Sequence, residues 1–163
     1  MISESTLLVR PEHLNHHGYL FGGRLLEWLD EQAYIAAIQH LKSKANLVTV
    51  AIDRVEFKVS VRQGSLLKFR SMMVHVGRTS LTLFTQVFKH HDAQDEEIFR
   101  AYVSFVCLTK KDKPAPVAPL LLQSFSLQTI HADIRIHWDE VERARALRLK
   151  TAGRKRSQSH SQS

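Results

Sequence analysis

The stretch from Phe21 to about Lys42 constrains the fold more than any other part of the chain. After Gly23 it contains neither proline nor glycine, and its residues favour a helix. At 1.5 Å per residue such a helix is about 30 Å long. A helix that is apolar around most of its circumference has to be covered on several sides, so the rest of the chain is expected to wrap around it. The apolar residues form two stripes with a third group between them: Leu25, Leu29, Ala33 and Ala36; Leu26, Ala37 and Leu41; and Trp28, Ile35 and Ile38.

After the helix the apolar pattern changes to a period of two, which indicates strands. Val55, Phe57, Val59 and Val61 alternate with polar residues and predict a half-buried strand. Further strands are predicted over 6–9, 66–76, 80–89 and 98–109.

The predicted strands over 66–76 and 80–89 are separated by a short connection that contains Gly77 and Arg78. Gly77 suits the first central position of a tight hairpin turn, where the backbone takes a positive φ. One long central helix and an antiparallel sheet of about five strands place the chain in the α+β class, with the sheet wrapped around the helix.

The length of 163 residues is that of a single domain, and the net charge of +7 is concentrated near the end of the chain. Residues 139–156 contain seven basic and three acidic residues, and so contribute four of the seven net positive charges. We expect one domain over 1–120 and a C-terminal extension over 121–163, with a basic helix at about 138–152 and a disordered polar tail. The tail has no aromatic residues between its charges, so nucleic acid is not the expected partner.

Several classes of protein do not fit the composition. No apolar run approaches the length of a membrane span, and the first residues do not resemble a signal peptide. Cys107 is the only cysteine, which excludes an internal disulfide and favours the cytoplasm. It alternates with Phe105 and Val103, so we expect a small core residue rather than a nucleophile. No metal is expected either, because the loop histidines lack a matched set of acidic or cysteine ligands: His13, His16 and His17.

The start of the helix is the most informative place for chemistry. Two adjacent glycines, Gly22 and Gly23, leave backbone N–H groups unobstructed at the positive end of the helix dipole, which suits a polarised carbonyl oxygen. Asp30 follows two turns later and provides a carboxylate that can act as a general base or as a nucleophile. The alternative is an exposed polar stripe stabilised by helix-spaced ion pairs, which would contain Arg24, Glu27, Asp30 and Glu31.

The order of these residues resembles a known pattern. Asn15-x-x-Gly18-x-x-Phe21-Gly22-Gly23-x6-Asp30-Glu31 is similar to the active-site segment of hotdog-fold acyl-CoA thioesterases, in the bacterial and brain-type acyl-CoA hydrolase branch. Similar signals follow downstream in the same order: Val48-Thr49-Val50-Ala51, Phe57, Gly64 and Val76-Gly77-Arg78-Thr79-Ser80. The resemblance covers about residues 5–118, and it implies a hotdog fold in which an antiparallel sheet surrounds a long helix.

The resemblance also implies an activity and roles for individual residues. The expected reaction is hydrolysis of acyl-CoA to a carboxylic acid and coenzyme A, in fatty acid metabolism and without a cofactor. Asp30 matches the catalytic carboxylate, Asn15 a second polar residue of the site, and Gly22 or Gly23 the backbone N–H that polarises the carbonyl. The residues that match coenzyme A-binding segments are Thr49, Arg78, Thr79 and Ser80.

In this family the two catalytic side chains come from opposite protomers, so the resemblance implies a homodimer formed by strands that join edge to edge. A hexamer, a trimer of dimers, is also common in the branch. Two other functions remain open from the residues alone. One is a module that binds acyl-CoA without hydrolysis, and the other is binding of an anionic macromolecule through the basic tail.

Overall fold

The computed structural model describes residues 2–41, 45–90, 94–117, 121, 139–143 and 146. The chain forms two compact units, Met1–Leu127 and Gln128–Ser163. In the second unit, residues 139–143 and 146 are helical, and most of the predicted basic helix and all of the polar tail lie outside the described residues. The predicted domain boundary near residue 120 therefore stays a prediction.

Within its described residues, the first unit contains one long α-helix, a short 3-10 helix over Pro11–His13 and five strands. The α-helix and the strands are β1 (Ile2–Leu8), α1 (Gly22–Gln39), β2 (Asn46–Phe57), β3 (Leu66–Val76), β4 (Ser80–Lys89) and β5 (Glu96–Leu108). The strands form one sheet in the order β1-β3-β4-β5-β2, and every neighbouring pair is antiparallel. The sequence therefore predicted the long helix and the number of strands, but not the 3-10 helix, and it placed both ends of β3 and of β4 correctly.

The helix forms the centre of the core. It packs against the inner face of the sheet, where β3 and β4 contact it. Alternate residues of the strands point toward it, as the period of two requires. The buried residues of α1 are Leu25, Trp28, Leu29, Ala33, Ala36 and Ala37, and the sheet residues packed with them include Leu67, Phe69, Leu81, Leu83, Val103 and Phe105.

The strand predicted around Val55–Val61 differs from β2 in two ways. It begins nine residues earlier, at Asn46, and ends at Phe57, so Val59 and Val61 lie after it. Val55, Phe57 and Val59 are also exposed rather than half-buried. The physical reason is the position of β2 at the edge of the sheet, where no described strand covers its second side.

Gly77 does not adopt the predicted turn conformation, since the described glycines with positive φ are Gly18 and Gly64. Three residues connect β3 to β4, and the N–H of Gly77 donates to the carbonyl oxygen of Ser80 at 2.8 Å. A Cβ at position 77 would lie 2.8 Å from the Ser80 Oγ. A larger residue at this position would have to displace the Ser80 hydroxyl, so glycine is favoured by the close approach of Ser80 and not by its own φ.

Cys107 is buried in the core, as predicted, and burial raises the pKa of its thiol. A buried thiol with a raised pKa is a poor nucleophile. Within the described residues no cluster of three or more histidine, cysteine or acidic side chains is arranged to bind a metal ion. No described helix combines the length and hydrophobicity that crossing a bilayer requires.

Candidate active site

The first turn of α1 presents backbone N–H groups that the described residues do not use. Phe21 is the N-cap and provides no side-chain hydrogen bond, while its carbonyl oxygen accepts from the N–H of Arg24 and of Leu25. No described acceptor is paired with the N–H of Gly22 or Gly23. A Cβ on Gly23 would lie 2.6 Å from Cε1 of Phe21, so a larger residue there would displace that ring.

Asn15 lies in the loop that leads into the helix. Its Oδ1 accepts hydrogen bonds from the N–H of His17 at 2.9 Å and of Tyr19 at 3.2 Å. The loop closes because the N–H of Asn15 donates to the Tyr19 carbonyl oxygen, and Gly18 turns the chain with a φ of +77°. Both donors bind the side-chain oxygen, and among the described residues the Asn15 amide nitrogen has no partner.

A pocket of about 330 Å³ lies between this loop, the first turn of α1 and the segment after β2. Asn15 and Gly22 both line it. Asp30 does not line it. The other lining residues are Tyr19, Leu20, Leu25, Phe57, Lys58, Val59, Ser60 and Val61.

Asp30 is half-buried two turns further along α1. Thr49 of β2 donates a hydrogen bond from its Oγ1 to Oδ1 of Asp30, at 2.8 Å. The expected polar stripe is only partly formed: Arg24 pairs with Glu27 at 2.7 Å, whereas Asp30 turns to the strand. Its carboxylate is therefore held in one orientation with its second oxygen available.

The proposed carbonyl site and the carboxylate are far apart within one chain. Gly22 and Gly23 precede Asp30 by eight and seven residues, which corresponds to about 10–12 Å along the helix axis. A thioester carbonyl bound at the glycine N–H groups is therefore out of reach of Asp30 in the same chain.

The turn that contains Arg78 lies at the same end of the sheet as Asp30. Thr49 pairs with Phe105, which pairs with Leu81, the second residue of β4. Two strand spacings separate Thr49 from Leu81, about 10 Å. Arg78 is exposed, and its guanidinium has no partner among the described residues. Its backbone is held in place, because the Arg78 carbonyl oxygen accepts a hydrogen bond from the N–H of Val117.

Sequence analysis missed the contact between Thr49 and Asp30, because the two residues belong to different elements and no local pattern joins them. It also missed Lys58 and Ser60 as lining residues, since they appeared only as the polar half of an alternating strand. Tertiary packing creates both relationships.

Comparisons with known proteins agree with this architecture. The model of the family described as the Thioesterase superfamily matches residues 17–95. A Bacillus subtilis protein named uncharacterized acyl-CoA thioester hydrolase YkhA is 30% identical over 141 residues, which are 85% of this chain and 77% of that protein. This chain belongs to the thioesterase superfamily.

Two solved structures share the fold over most of their length. One is an acyl-CoA hydrolase from Staphylococcus aureus in complex with butyryl coenzyme A, coenzyme A and coenzyme A disulfide, with a TM-score of 0.76 and 26% identity over 93% of this chain and 92% of that one. The other is an apo-hexameric acyl-CoA thioesterase, with a TM-score of 0.72 and 28% identity over 89% of this chain and 92% of that one. The fold is therefore the hotdog fold.

Proposed function

We propose that this protein is an acyl-CoA thioester hydrolase whose active site combines residues from two copies of the chain. The observation that carries the proposal is a pair of half-sites on one helix. At its start the N–H groups of Gly22 and Gly23 have no acceptor among the described residues, and Asp30, oriented by Thr49, lies two turns away. The named activities of the B. subtilis and S. aureus relatives support the same function.

A dimer formed through β2 joins the two half-sites. Asp30 lies beside Thr49, and Gly22 faces the ring of Phe57, whose nearest atoms are 3.4 Å from the Cβ position of the glycine. If β2 of a second copy pairs antiparallel so that Thr49 of one strand faces Phe57 of the other, Asp30 of one copy approaches Gly22 of its partner. The two-fold axis then passes near Asp53, midway between Thr49 and Phe57.

In this arrangement each group has a defined task. The N–H of Gly22 or Gly23 binds the thioester oxygen and stabilises the negative charge that forms there. The Asn15 amide nitrogen donates to the water or the substrate. Asp30 takes a proton from water as the water oxygen attacks the carbonyl carbon, or its carboxylate attacks directly and forms an anhydride that water then hydrolyses. The carbon–sulfur bond breaks, and coenzyme A leaves as a thiolate, which needs no strong acid because a thiol has a pKa of about 8.5.

The proposed coenzyme A-binding residues lie on the side from which Asp30 comes. Arg78, whose guanidinium has no partner in the described part of the chain, is proposed to bind the phosphates, together with Thr79 and Ser80, which follow it directly. A guanidinium beside a turn is well suited to phosphate because its N–H groups form two parallel hydrogen bonds. Thr49 is proposed to orient Asp30, and its contact with coenzyme A stays a prediction. The cytoplasmic location and a hexamer also stay predictions.

Release of coenzyme A thiol from a panel of acyl-CoA substrates tests this function. We expect wild-type protein to release thiol and Asp30→Asn to reduce kcat by about 10²–10⁴-fold, the usual contribution of a general base. Glu31→Gln is the matched control, because Glu31 is an exposed acid next to Asp30 and should leave activity unchanged. Binding of acyl-CoA without any thiol release by the wild type would instead identify a non-hydrolytic binding module.

A further inference from the structure

The pocket beside Gly22 is closed at one end and open at the other. Leu25 and Val61 are only 4% and 3% exposed and belong to the hydrophobic core, so they close its inner end. Phe57 and Val59 are 54% and 40% exposed and form its rim. A chain that enters past Gly22 therefore runs toward the core and stops at Leu25 and Val61.

Two of the polar side chains that line the pocket, those of Tyr19 and Lys58, already have partners elsewhere. The hydroxyl of Tyr19 accepts a hydrogen bond from Arg62 at 3.0 Å, and the same guanidinium lies over the tyrosine ring, 4.7 Å from its centroid. The ammonium group of Lys58 is bound by Glu97. What these residues present to the pocket is their hydrocarbon portion, so the lining suits an apolar occupant.

We propose that this pocket holds the acyl chain of the substrate, that the chain is an unsubstituted hydrocarbon, and that Leu25 and Val61 set the longest chain the enzyme accepts. This inference rests on the proposed thioesterase function, since Gly22 is both a lining residue and the proposed carbonyl site. The thioester carbonyl lies at Gly22 and the alkyl chain extends from it toward Leu25.

The closed end sets an upper limit on length. A pocket of about 330 Å³ lies at the small end of the range for ligand sites. Because the thioester carbonyl is placed at Gly22, a chain longer than the distance from Gly22 to Leu25 and Val61 cannot fit without displacing those two residues. Short and medium acyl chains are therefore the expected substrates.

The dependence of kcat/KM on chain length tests the inference. Each added methylene that finds room in the pocket should raise kcat/KM by about fourfold, and the increase should stop once the chain reaches the closed end. Acyl-CoA substrates of matched length with a terminal carboxylate should be poor, because Leu25 and Val61 at the closed end offer no partner for a charge. Equal rates for the carboxylate and hydrocarbon substrates would overturn the assignment of a hydrocarbon chain.

Substitutions at the closed end test the assignment of the limit. Leu25→Ala should extend the limit by one to three carbons, since it removes three carbon atoms from the wall of the pocket. Leu29→Ala is the matched control: Leu29 is a fully buried leucine on the same helix that does not line the pocket, so its loss should lower stability and leave the chain-length profile unchanged.

A second pair of variants removes the risk that a truncated core prevents folding. Val61→Ile adds one methylene to the closed end and should shorten the limit by about one carbon, whereas Val87→Ile, in the core outside the pocket, should not. Identical profiles for wild type, Val61→Ile and Leu25→Ala would overturn this inference while leaving the thioesterase function intact. Absence of thiol release from every acyl-CoA by the wild type would overturn the proposed function itself.

Discussion

The two edge strands of the sheet differ in length and in what they expose. β1 has seven residues, and its middle carries the exposed Glu4 and Thr6, with Glu4 paired to Arg70 of β3 at 2.8 Å. β2 has twelve residues. Its exposed large apolar residues are Val48, Val50, Val55 and Phe57. Charge on a short edge strand opposes pairing with another chain, whereas a long apolar edge invites it. β1 exposes two large apolar residues, Ile2 and Leu8, at its ends, whereas β2 exposes four, so β2 is the edge better suited to pair with a second copy.

The largest expected effect comes from placing a charge on β2. In the proposed register Val50 faces Glu56 of the second copy, so Val50→Glu brings like charges together, which costs several kcal/mol. We expect the dimer to dissociate and thiol release to fall by about 100-fold or more. A glutamate on β1, Thr6→Glu, should leave both the mass of the oligomer in solution and the rate of thiol release unchanged. Light scattering and a thiol-release assay measure the two quantities.

Val50→Lys sharpens this test, because the lysine would face Glu56 as an opposite charge and should dissociate the dimer less than Val50→Glu. Equal dissociation by both variants would contradict the proposed register. Dissociation by Thr6→Glu alone would assign the interface to β1.

A mixture of two inactive variants distinguishes a shared site from a site within one chain. Asp30→Asn and Asn15→Ala each damage both sites of their own homodimer. A mixed dimer has one site with both residues intact, so random exchange of equal amounts should restore about a quarter of the wild-type sites. Recovery is measured as thiol release after the two proteins are unfolded and refolded together. If mixing restores nothing although mixed dimers form, Asp30 and Asn15 act within the same chain.

A smaller effect is expected at Thr49. Loss of its hydrogen bond to the Asp30 carboxylate in Thr49→Ala should lower kcat by roughly tenfold, the value of one hydrogen bond to a charged group. Thr49→Ser keeps the donor and should retain most of the activity. An effect on KM with kcat unchanged would instead favour the coenzyme A contact predicted from the sequence.

The smallest effect is expected where β2 is anchored to the rest of the sheet. Burial alone would raise the pKa of Glu97, but hydrogen bonds from Lys58 and Gln86 and the charge of Arg100 lower it below its ordinary value. A lowered pKa stabilises the fold above the pKa of the unfolded state, about 4.3, and this contribution disappears as the pH falls through the lower folded value.

Glu97→Gln should therefore reduce the free energy of unfolding at pH 7 by less than about 1 kcal/mol, because the group is partly solvent-screened. The difference in the free energy of unfolding between Glu97→Gln and the wild type should shrink below pH 4. Denaturant unfolding at both pH values measures it, and a difference that grows in acid would contradict the assignment.

The parts of the fold that could be predicted are those whose sequence pattern repeats. β3 and β4 alternate around the helix, so both of their boundaries were predicted correctly, and α1 was predicted within three residues at its end. β2 was misplaced because the exposed valines of an edge strand give the same alternation as a half-buried strand. Gly77 was correctly predicted to lie in the connection between β3 and β4, but the predicted reason, a positive φ, was wrong. The close approach of the Ser80 hydroxyl could not be inferred from residue type.

The sequence by itself determined a long apolar helix, the strands that cover it and the residues that resemble a thioesterase active site, because periodicity and local spacing depend only on neighbours in the chain. Tertiary structure decided the rest. It turned Asp30 toward Thr49, placed Asn15 and Gly22 on one pocket, and kept that pocket and the carboxylate apart by about 10–12 Å of helix. These relationships join residues that are distant in sequence, and the packing of the sheet around the helix is what brings them together or holds them apart.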